Sequence, residues 1–319
     1  MSVKFARLDY VKTHDEIPVK FNVIKQNVES NLSWYIDRYN PLVITECAIA
    51  GERGVKVLLP LTENESLVDV ERTKKIILRA MDSLRANDVE IVLPPENIII
   101  EQRNGVSVAT GRRLFSFFMC KAIQRWSNLA RRDLKRCETV IINDNLELTE
   151  SILDHICENL NFVTVMDLSG DKEWIMEKAD KIFDDTGLNI VVRGKNKAAL
   201  KTADVVINTS ISEFDTAYKR GAVVFDLSAD IERRRNLIER RPDILVIDGL
   251  VLNYKNTAIP LTMFELALYL KNRHFRNIVM KGYDMETGAA LCRAIKRMEL
   301  DIYSFTQVGK IIRNGEIMK

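Results

Sequence analysis

The stretch TVIINDNLELTESILDHICENLNFVTVMDLSG (139–170) decides the fold. A short Val/Ile run, TVIIND (139–144), leads into LTESILDHICENL (148–160), where Ile152, Ile156 and Leu160 recur at helical spacing. A second run, FVTVMDL (162–168), follows. Strand, helix and strand within about 30 residues make a βαβ unit, and near-continuous β-branched runs suit strands buried on both faces of a parallel sheet. The pattern continues with a helix at KEWIMEKADKIFDDTG (172–187), closed by Gly187, and a strand at LNIVVRG (188–194). A short helix at NKAALKTA (196–203) precedes the runs DVVINTS (204–210), AVVFDLS (222–228) and DILVIDGL (243–250), the last two separated by ADIERRRNLIERRP. Six such strands predict an α/β architecture with a doubly wound parallel sheet of Rossmann type.

Upstream, residues 1–40 carry only weak periodicity. PLVITECAIA (41–50) and VKVLLPL (55–61) predict two strands around Gly51 and Gly54, as a hairpin or an adjacent pair. ERTKKIILRAMDSLRAND (71–88) predicts a helix with a buried stripe of Ile76, Ile77, Ala80, Met81 and Leu84. VEIVLP (89–94) predicts a short buried strand stopped by Pro94-Pro95. NIIIEQRNGVSVATG (97–111) adds an apolar run, a turn at Asn104-Gly105 and a short extended piece. RLFSFFMCKAIQRWSNLA (113–130) predicts an apolar helix long enough to link two domains, and IPLTMFELALYLKNRHF (259–275) and TGAALCRAIKRMEL (287–300) predict two closing helices. The expected organisation is an N-terminal α/β substrate-side domain with its linking helix (1–130), a Rossmann-like domain (131–258) and C-terminal helices packing back on the first domain (259–319).

Composition excludes several classes. Hydrophobic residues are 46% and charged residues 29% of 319, enough for a sizeable core and unlike a disordered chain. Lys+Arg 47 against Asp+Glu 45 leaves a net +2, which argues against a generally basic nucleic-acid binder. The run Glu232-Arg233-Arg234-Arg235, with Arg240-Arg241, reads as a solvated helix face rather than a phosphate patch. Cys47, Cys120, Cys137, Cys157 and Cys292 form no C-x-x-C pair and read as buried, reduced thiols of a cytoplasmic protein. His14, His155 and His274 lie far apart, so no metal site is expected; His155 reads as a surface or half-buried helix residue. The N-terminus lacks the apolar core of a signal peptide, and no run is long enough to span a membrane.

An open parallel sheet binds its ligand beyond the carboxyl ends of the strands. The candidates for cofactor binding there are Asn143, Asp144, Asn145, Asp167, Arg193, Lys195, Thr209 and Ser210. Each could instead cap the helix that follows. Asp167 lies 24 positions after Asn143, close to the spacing of the acid that accepts from a ribose in dinucleotide-binding units. The first βα turn nevertheless lacks the G-x-G-x-x-G/A pattern: the chain has no glycine between Gly111 and Gly170. Asp144, Glu147 and Glu150 stand beside a helix N-terminus that would otherwise attract an anion. At about 4 Å a like-charge pair costs on the order of 1–4 kcal/mol, so NAD(P) binding in this loop is expected to be weakened.

VKVLLPL, the helix before VEIVLPP, GVSVATGRRL, RRDL, ADVVINTS, GAVVFDLS and VIDGL occur in an order that resembles the predicted dehydrogenases that include the long-chain acyl-[acyl-carrier-protein] reductases. More distantly the chain is similar to shikimate and amino-acid dehydrogenases. The resemblance covers about residues 41–305. It implies a substrate-side domain, a Rossmann domain, NADPH as cofactor and a cysteine acyl-enzyme. The chain departs from it at the glycine loop and at the cysteine: PLTMFE, aligned on Glu265, puts Thr262 at the nucleophile position, and a Thr hydroxyl without an adjacent base is a poor nucleophile.

Three readings stay open. The chain is a dehydrogenase-like protein with a degenerate cofactor loop, acting by binding, assembly or regulation with no cofactor expected. Alternatively it is an active oxidoreductase that grips NAD(P) through Arg193 and Lys195, with Asp167 on the ribose. A third reading is an enzyme for another small anion, with Thr110, Arg112 and Glu265 as candidates. The partner, a small molecule or a protein, and any homo-oligomer are not specified by the sequence.

Overall fold

The computed structural model describes residues 4–12, 43–49, 51–85, 89–95, 100, 105–155, 160–212, 214 and 217–317. Most of the weakly periodic 1–40 stretch, His14, Asn104 and Cys157 lie outside them. The chain forms two units: Met1–Thr110 with Leu266–Lys271, and Gly111–Glu265 with Asn272–Lys319.

In the first unit five strands form one sheet: β1 (Phe5–Tyr10), β2 (Val43–Ile49), β3 (Glu52–Leu59), β4 (Ile91–Leu93) and β5 (Ser107–Val108), in the order β2-β3-β1-β4-β5. β2 and β3 pair antiparallel, the hairpin expected around Gly51. β1, within the stretch of weak periodicity, runs parallel between β3 and β4. Phe5, Ala6 and Leu8 are buried in it, too short a run to show a period. Helix Val70–Arg85 covers the sheet with the expected stripe: Ile76, Ile77, Ala80, Met81 and Leu84 join Leu8, Val57 and Leu59 in one core. Burying each such side chain contributes roughly 1.5–3 kcal/mol. A short helix, Glu63–Val68, precedes it, started by a capping box between Thr62 and Glu65.

The second unit carries the six-stranded parallel sheet: β6 (Glu138–Asn143), β7 (Phe162–Asp167), β8 (Ile190–Arg193), β9 (Val205–Asn208), β10 (Val223–Asp226) and β11 (Leu245–Ile247). Its order, β11-β10-β9-β6-β7-β8, is that of a doubly wound Rossmann sheet. β9 and β10 are buried along their whole length, which explains their unbroken apolar runs. Helices Leu146–Asp154, Lys172–Thr186, Lys197–Thr202 and Ile231–Arg240 are the connectors expected from the sequence.

The sequence placed helix Arg112–Ala130 with the first domain; the structure groups it with the second unit. Its buried face explains this: Phe115 meets Phe225 edge-on at 6.2 Å, and Ser116 hydrogen-bonds Ser151 at 2.7 Å. Of the segment expected to return to the first domain, only Leu266–Lys271 groups with the first unit. There Tyr269 donates to Glu90 (3.4 Å) and Lys271 pairs with Glu52 (2.6 Å).

Within the second unit the tail adds a second, antiparallel sheet, β13-β12-β14-β15. Its strands are β12 (Gly249–Tyr254), β13 (Thr257–Pro260), β14 (Asp301–Gln307) and β15 (Lys310–Ile311). DILVIDGL, read as one strand, is thus the end of one sheet and the start of another, with Asp248 at the corner. Three helices, Leu261–Lys271, Arg273–Lys281 and Met285–Lys296, stand where two were expected. Asn272 ends the first run and caps the second by accepting from the His274 and Phe275 amides.

Candidate functional site

β6 and β9 are neighbours, with β7-β8 on one side and β10-β11 on the other. Successive crossovers therefore leave in opposite directions between them, where a doubly wound sheet opens a crevice. The two strands end in Asn143-Asp144-Asn145 and Asn208-Thr209-Ser210. These loops are joined by hydrogen bonds. The Asp144 amide donates to Thr209 Oγ1 (3.1 Å), the Thr209 hydroxyl donates to the Ile142 carbonyl (2.9 Å), and the Ser210 hydroxyl donates to Asp144 Oδ2 (2.8 Å). Ser210 Oγ in turn accepts from the Ser212 amide (2.9 Å).

Helix Leu146–Asp154 starts at this point. Asn145 is its N-cap, in extended conformation, accepting from the Leu148 amide through its side chain (3.0 Å). Such a cap stabilises a helix by about 1 kcal/mol. No residue from Asn143 to Thr149 has a positive φ, so the turn is made without glycine. Glu147, in the first helical turn, pairs with Arg113 (3.2 Å). Burial, the largest influence on Glu150, pushes its carboxyl up.

On the β7 side, Asn143 Nδ2 donates to Asp167 Oδ1 (2.9 Å) and to Ser169 Oγ (2.8 Å). The same Asp167 oxygen also accepts from the Ser169 amide (3.1 Å) and hydroxyl (2.8 Å). Asp167 is buried, and Asn143 Oδ1 is buried without a partner. Arg193 and Lys195 are exposed and bond none of these residues; the Lys195 ammonium sits 5.7 Å from the Phe214 ring centre.

The most extensive polar structure lies at the ends of β10 and β11, and it corrects the reading of the arginine run. Arg233 and Arg234 are 5% and 3% exposed, not a solvated face. They occupy the first turn of helix Ile231–Arg240, started by the Asp230 side chain on the Arg233 amide, and this places both guanidiniums over the strand ends. Arg233 Nη2 reaches both oxygens of Asp226 (3.1 and 3.2 Å). Arg234 bridges Asp226 (Nε, 2.9 Å) and Asp248 (Nη1, 3.1 Å). Asp226 also accepts from Asn208 (2.9 Å) and from the Ser228 amide (3.1 Å); Asp248 accepts from Thr306 (2.9 Å) and from the Val308 amide (2.6 Å). Burial alone would raise the Asp226 pKa, but Arg234 and Arg233 outweigh it and hold the carboxyl below its ordinary range. Two cations and two carboxylates are thus buried together and matched. Arg233, Arg234 and Thr306 were missed as members of a site. The available signal was an acid at the end of each strand flanking their helix.

The candidates near the start of helix Arg112–Ala130 have local partners. Gly111 has φ 78°, and a Cβ there would lie 3.3 Å from the Thr262 methyl and 3.5 Å from the Thr262 amide nitrogen, so both backbone and space call for glycine. Arg112 donates through Nε to the Leu227 carbonyl. Glu265, 1% exposed, accepts from the Leu114 amide (3.3 Å), placing a carboxylate at the positive end of the helix. Thr262 is half-buried, and Thr110 falls in the first unit. Among the described cysteines only Cys137 is buried, while Cys47, Cys120 and Cys292 are half-buried; burial pushes the Cys292 thiol up to about 11, away from a reactive thiolate.

No protein-family model matches the chain, and no curated protein matches it by sequence. Solved structures that match include dehydrogenases and reductases. Shikimate 5-dehydrogenase from Listeria monocytogenes, in complex with shikimate and NAD, is 11% identical with a TM-score of 0.34, over 92% of this chain and 96% of that one. L-tryptophan dehydrogenase from Nostoc punctiforme is 12% identical with a TM-score of 0.32, over 93% and 79%. Delta(1)-pyrroline-2-carboxylate reductase from Thermococcus litoralis, in complex with NADH and L-proline, is 18% identical with a TM-score of 0.26; there the match spans only 36% of each chain. Among the described residues no helix is long and apolar enough to cross a membrane.

Proposed function

We propose that this chain is a dehydrogenase-like Rossmann protein that works by binding, assembly or regulation rather than by hydride transfer. The observation that carries this reading is the Ser210–Asp144 hydrogen bond across the switch point. A pyrophosphate needs open amides at the first helix N-terminus and backbone that it can approach closely. Here the Leu148 amide is occupied by Asn145, the Asp144 amide by Thr209, and the Asp144 carboxylate is held across the switch point by Ser210. These residues do not fit the group. The aligned Thr262 likewise does not favour an acyl-enzyme, because a Thr hydroxyl is a poor nucleophile unless a base activates it.

A second reading, an active NAD(P)-dependent oxidoreductase with an atypical site, draws on one observation. Arg193 pairs in register with Met166, one residue before Asp167, and is exposed, so the strand next to the acid ends in an unburied cation. Against it, Asp167 Oδ1 already accepts three donors from Asn143 and Ser169. Titration with NADH and NADPH, followed by nicotinamide fluorescence and thermal shift, separates the two. No response at about millimolar cofactor is expected. A dissociation constant in the micromolar range, worth about 8 kcal/mol, would overturn the non-catalytic reading.

A further inference from the structure

Three adjoining hollows lie along the C-terminal half of helix Arg112–Ala130, with volumes of about 400, 330 and 560 Å³. The first two share Gln124 and Asn128, and the second and third share Arg125, Asp301 and Ile302, so they form one open groove that reaches β14 and β15. It lies on a different part of the helix from Arg112 and contains none of the strand-end residues described above.

Five cations line this groove: Lys121, Arg125, Arg132, Lys135 and Arg313. Among the described residues none has a carboxylate within ion-pairing distance. Other cations of the same unit are paired, as Arg113 is with Glu147, Lys219 with Asp204 and Arg241 with Asp243. Two of the five are held in place by neutral partners instead. Lys121 Nζ donates to the Leu300 carbonyl (3.1 Å) and Arg125 Nη2 to the Tyr303 carbonyl (2.8 Å), while Arg125 Nε is buried without a partner. Carbonyls fix these charges without neutralising them. The groove also exposes apolar surface: Tyr303 is 56% and Ile311 58% exposed. The acids on its walls are Asp133, already paired with Arg136, and Asp301.

We propose that this groove docks an extended acidic peptide segment of a partner protein. Uncompensated positive charge selects an anionic ligand, and the exposed Tyr303 and Ile311 select one that also carries apolar side chains. A compact inorganic anion would leave that surface unused. A nucleic-acid strand would carry charge along the whole groove, against Asp301 as well, and would find a single exposed aromatic ring on which to stack. A peptide can face Asp301 with a neutral residue. From Lys121 to Ala130 the helix rises ~14 Å, the length of about four extended residues. This proposal does not depend on whether the nucleotide crevice binds a cofactor.

The test uses the full chain and a fluorescein-labelled decapeptide of alternating Glu and Leu, read by anisotropy. A matching Gln/Leu decapeptide and a labelled ten-nucleotide poly-dT strand are the comparators. We expect the Glu/Leu peptide to bind about tenfold or more tighter than the Gln/Leu peptide, with binding weakened by added salt. The combined substitution Lys121→Gln, Arg132→Gln, Lys135→Gln and Arg313→Gln, all at exposed positions, should weaken it at least about tenfold, whereas Lys197→Gln with Lys201→Gln should leave it unchanged. Equal affinity for both peptides, binding unaltered by the groove substitution, or groove-dependent binding of poly-dT tighter than of the Glu/Leu peptide would each overturn the proposal. So would an undetectable interaction with the Glu/Leu peptide.

Discussion

Two groups of cations in the second unit contrast. Arg233 and Arg234 are buried and shared between Asp226 and Asp248. Lys121, Arg132, Lys135 and Arg313 line an open groove with no carboxylate partner among the described residues. The first group comes from the most conspicuous basic run of the chain, the second from scattered positions in a helix, a turn and the tail. Local charge density is therefore a poor guide to which cations are available to a ligand. What decides is the strand ends they meet: β10 ends in Asp226 and Asp248 follows β11, so the helix between them turns Arg233 and Arg234 inward while Arg240 stays exposed.

Breaking the buried set gives the largest expected effect. Asp226→Ala leaves Arg233 without an acid and Arg234 with Asp248 alone, two buried cations against one carboxylate, and should cost about 3–5 kcal/mol, a large part of the stability of a typical domain. Urea denaturation measures it. Arg234→Met should cost more than Arg233→Met, because Arg234 joins both acids whereas Arg233 reaches Asp226 alone; the reverse order would break the assignment of Arg234 as the bridge. Acid sharpens the same point. The Asp226 carboxyl titrates below its ordinary value of about 3.9. Its stabilising contribution is therefore fully present above that value and is lost as pH falls through the lower, folded value. Arg234→Met should move the acid-unfolding midpoint to higher pH.

An intermediate effect is expected where charge is mostly, but not fully, buried. Lys178 pairs with Asp154, which also accepts from the Tyr283 hydroxyl (2.7 Å). Burial first, then Asp154, raises the Tyr283 pKa. The neutral phenol is therefore favoured in the fold, and its contribution is present below a pH of about 10 and lost as pH rises through the folded value. Tyr283→Phe removes one hydrogen bond to a charged acceptor while Lys178 still neutralises Asp154. A loss of about 1.5–3 kcal/mol at neutral pH is expected in thermal or chemical unfolding, smaller than for Asp226→Ala. A cost as large as that of Asp226→Ala would mean that Asp154 depends on Tyr283 rather than on Lys178.

The six parallel strands were legible because burial, complete in β9 and β10, writes an uninterrupted Val/Ile run into the sequence, and the edge strand β8 keeps that run although it is largely uncovered. The antiparallel sheet was not, because its hairpins turn on unusual residues. Lys255-Asn256 and Val308-Gly309 both adopt positive φ, at 50° and 63° and at 50° and 71°. Only the second pair contains glycine, so neither matches the Asn-Gly signal that marks such turns. Among the strand-end candidates, Asn143 meets Asp167, and Asp144 meets Thr209 and Ser210, whereas Arg193 and Lys195 bond none of them. The pairings were not legible, since Asn143 reaches Asp167 and Ser210 reaches Asp144 only once the crossovers have placed the loops side by side. Thr262 and Glu265 were picked by alignment, and the structure gives them local contacts at Gly111 and Leu114.

The smallest effect on stability is expected in the groove, and its sign is informative. Lys121→Gln, Arg132→Gln and Lys135→Gln each remove a solvated charge that has no carboxylate partner, so none should change stability by more than about 0.5 kcal/mol. Combining them removes mutual repulsion between like charges lining one groove, and the triple variant should be as stable as the native chain or slightly more so at low salt, with the difference fading as salt is raised. A paired, half-buried cation behaves differently. Arg241, held by Asp243 at 2.7 Å and by the Tyr218 carbonyl at 3.0 Å, should lose stability on Arg241→Gln, by about 0.2–1 kcal/mol. Thermal unfolding of both variants at low and high salt checks the contrast. If the groove substitutions cost more than Arg241→Gln, those cations serve the fold; if they cost nothing while peptide binding falls, their charge is held ready for a ligand.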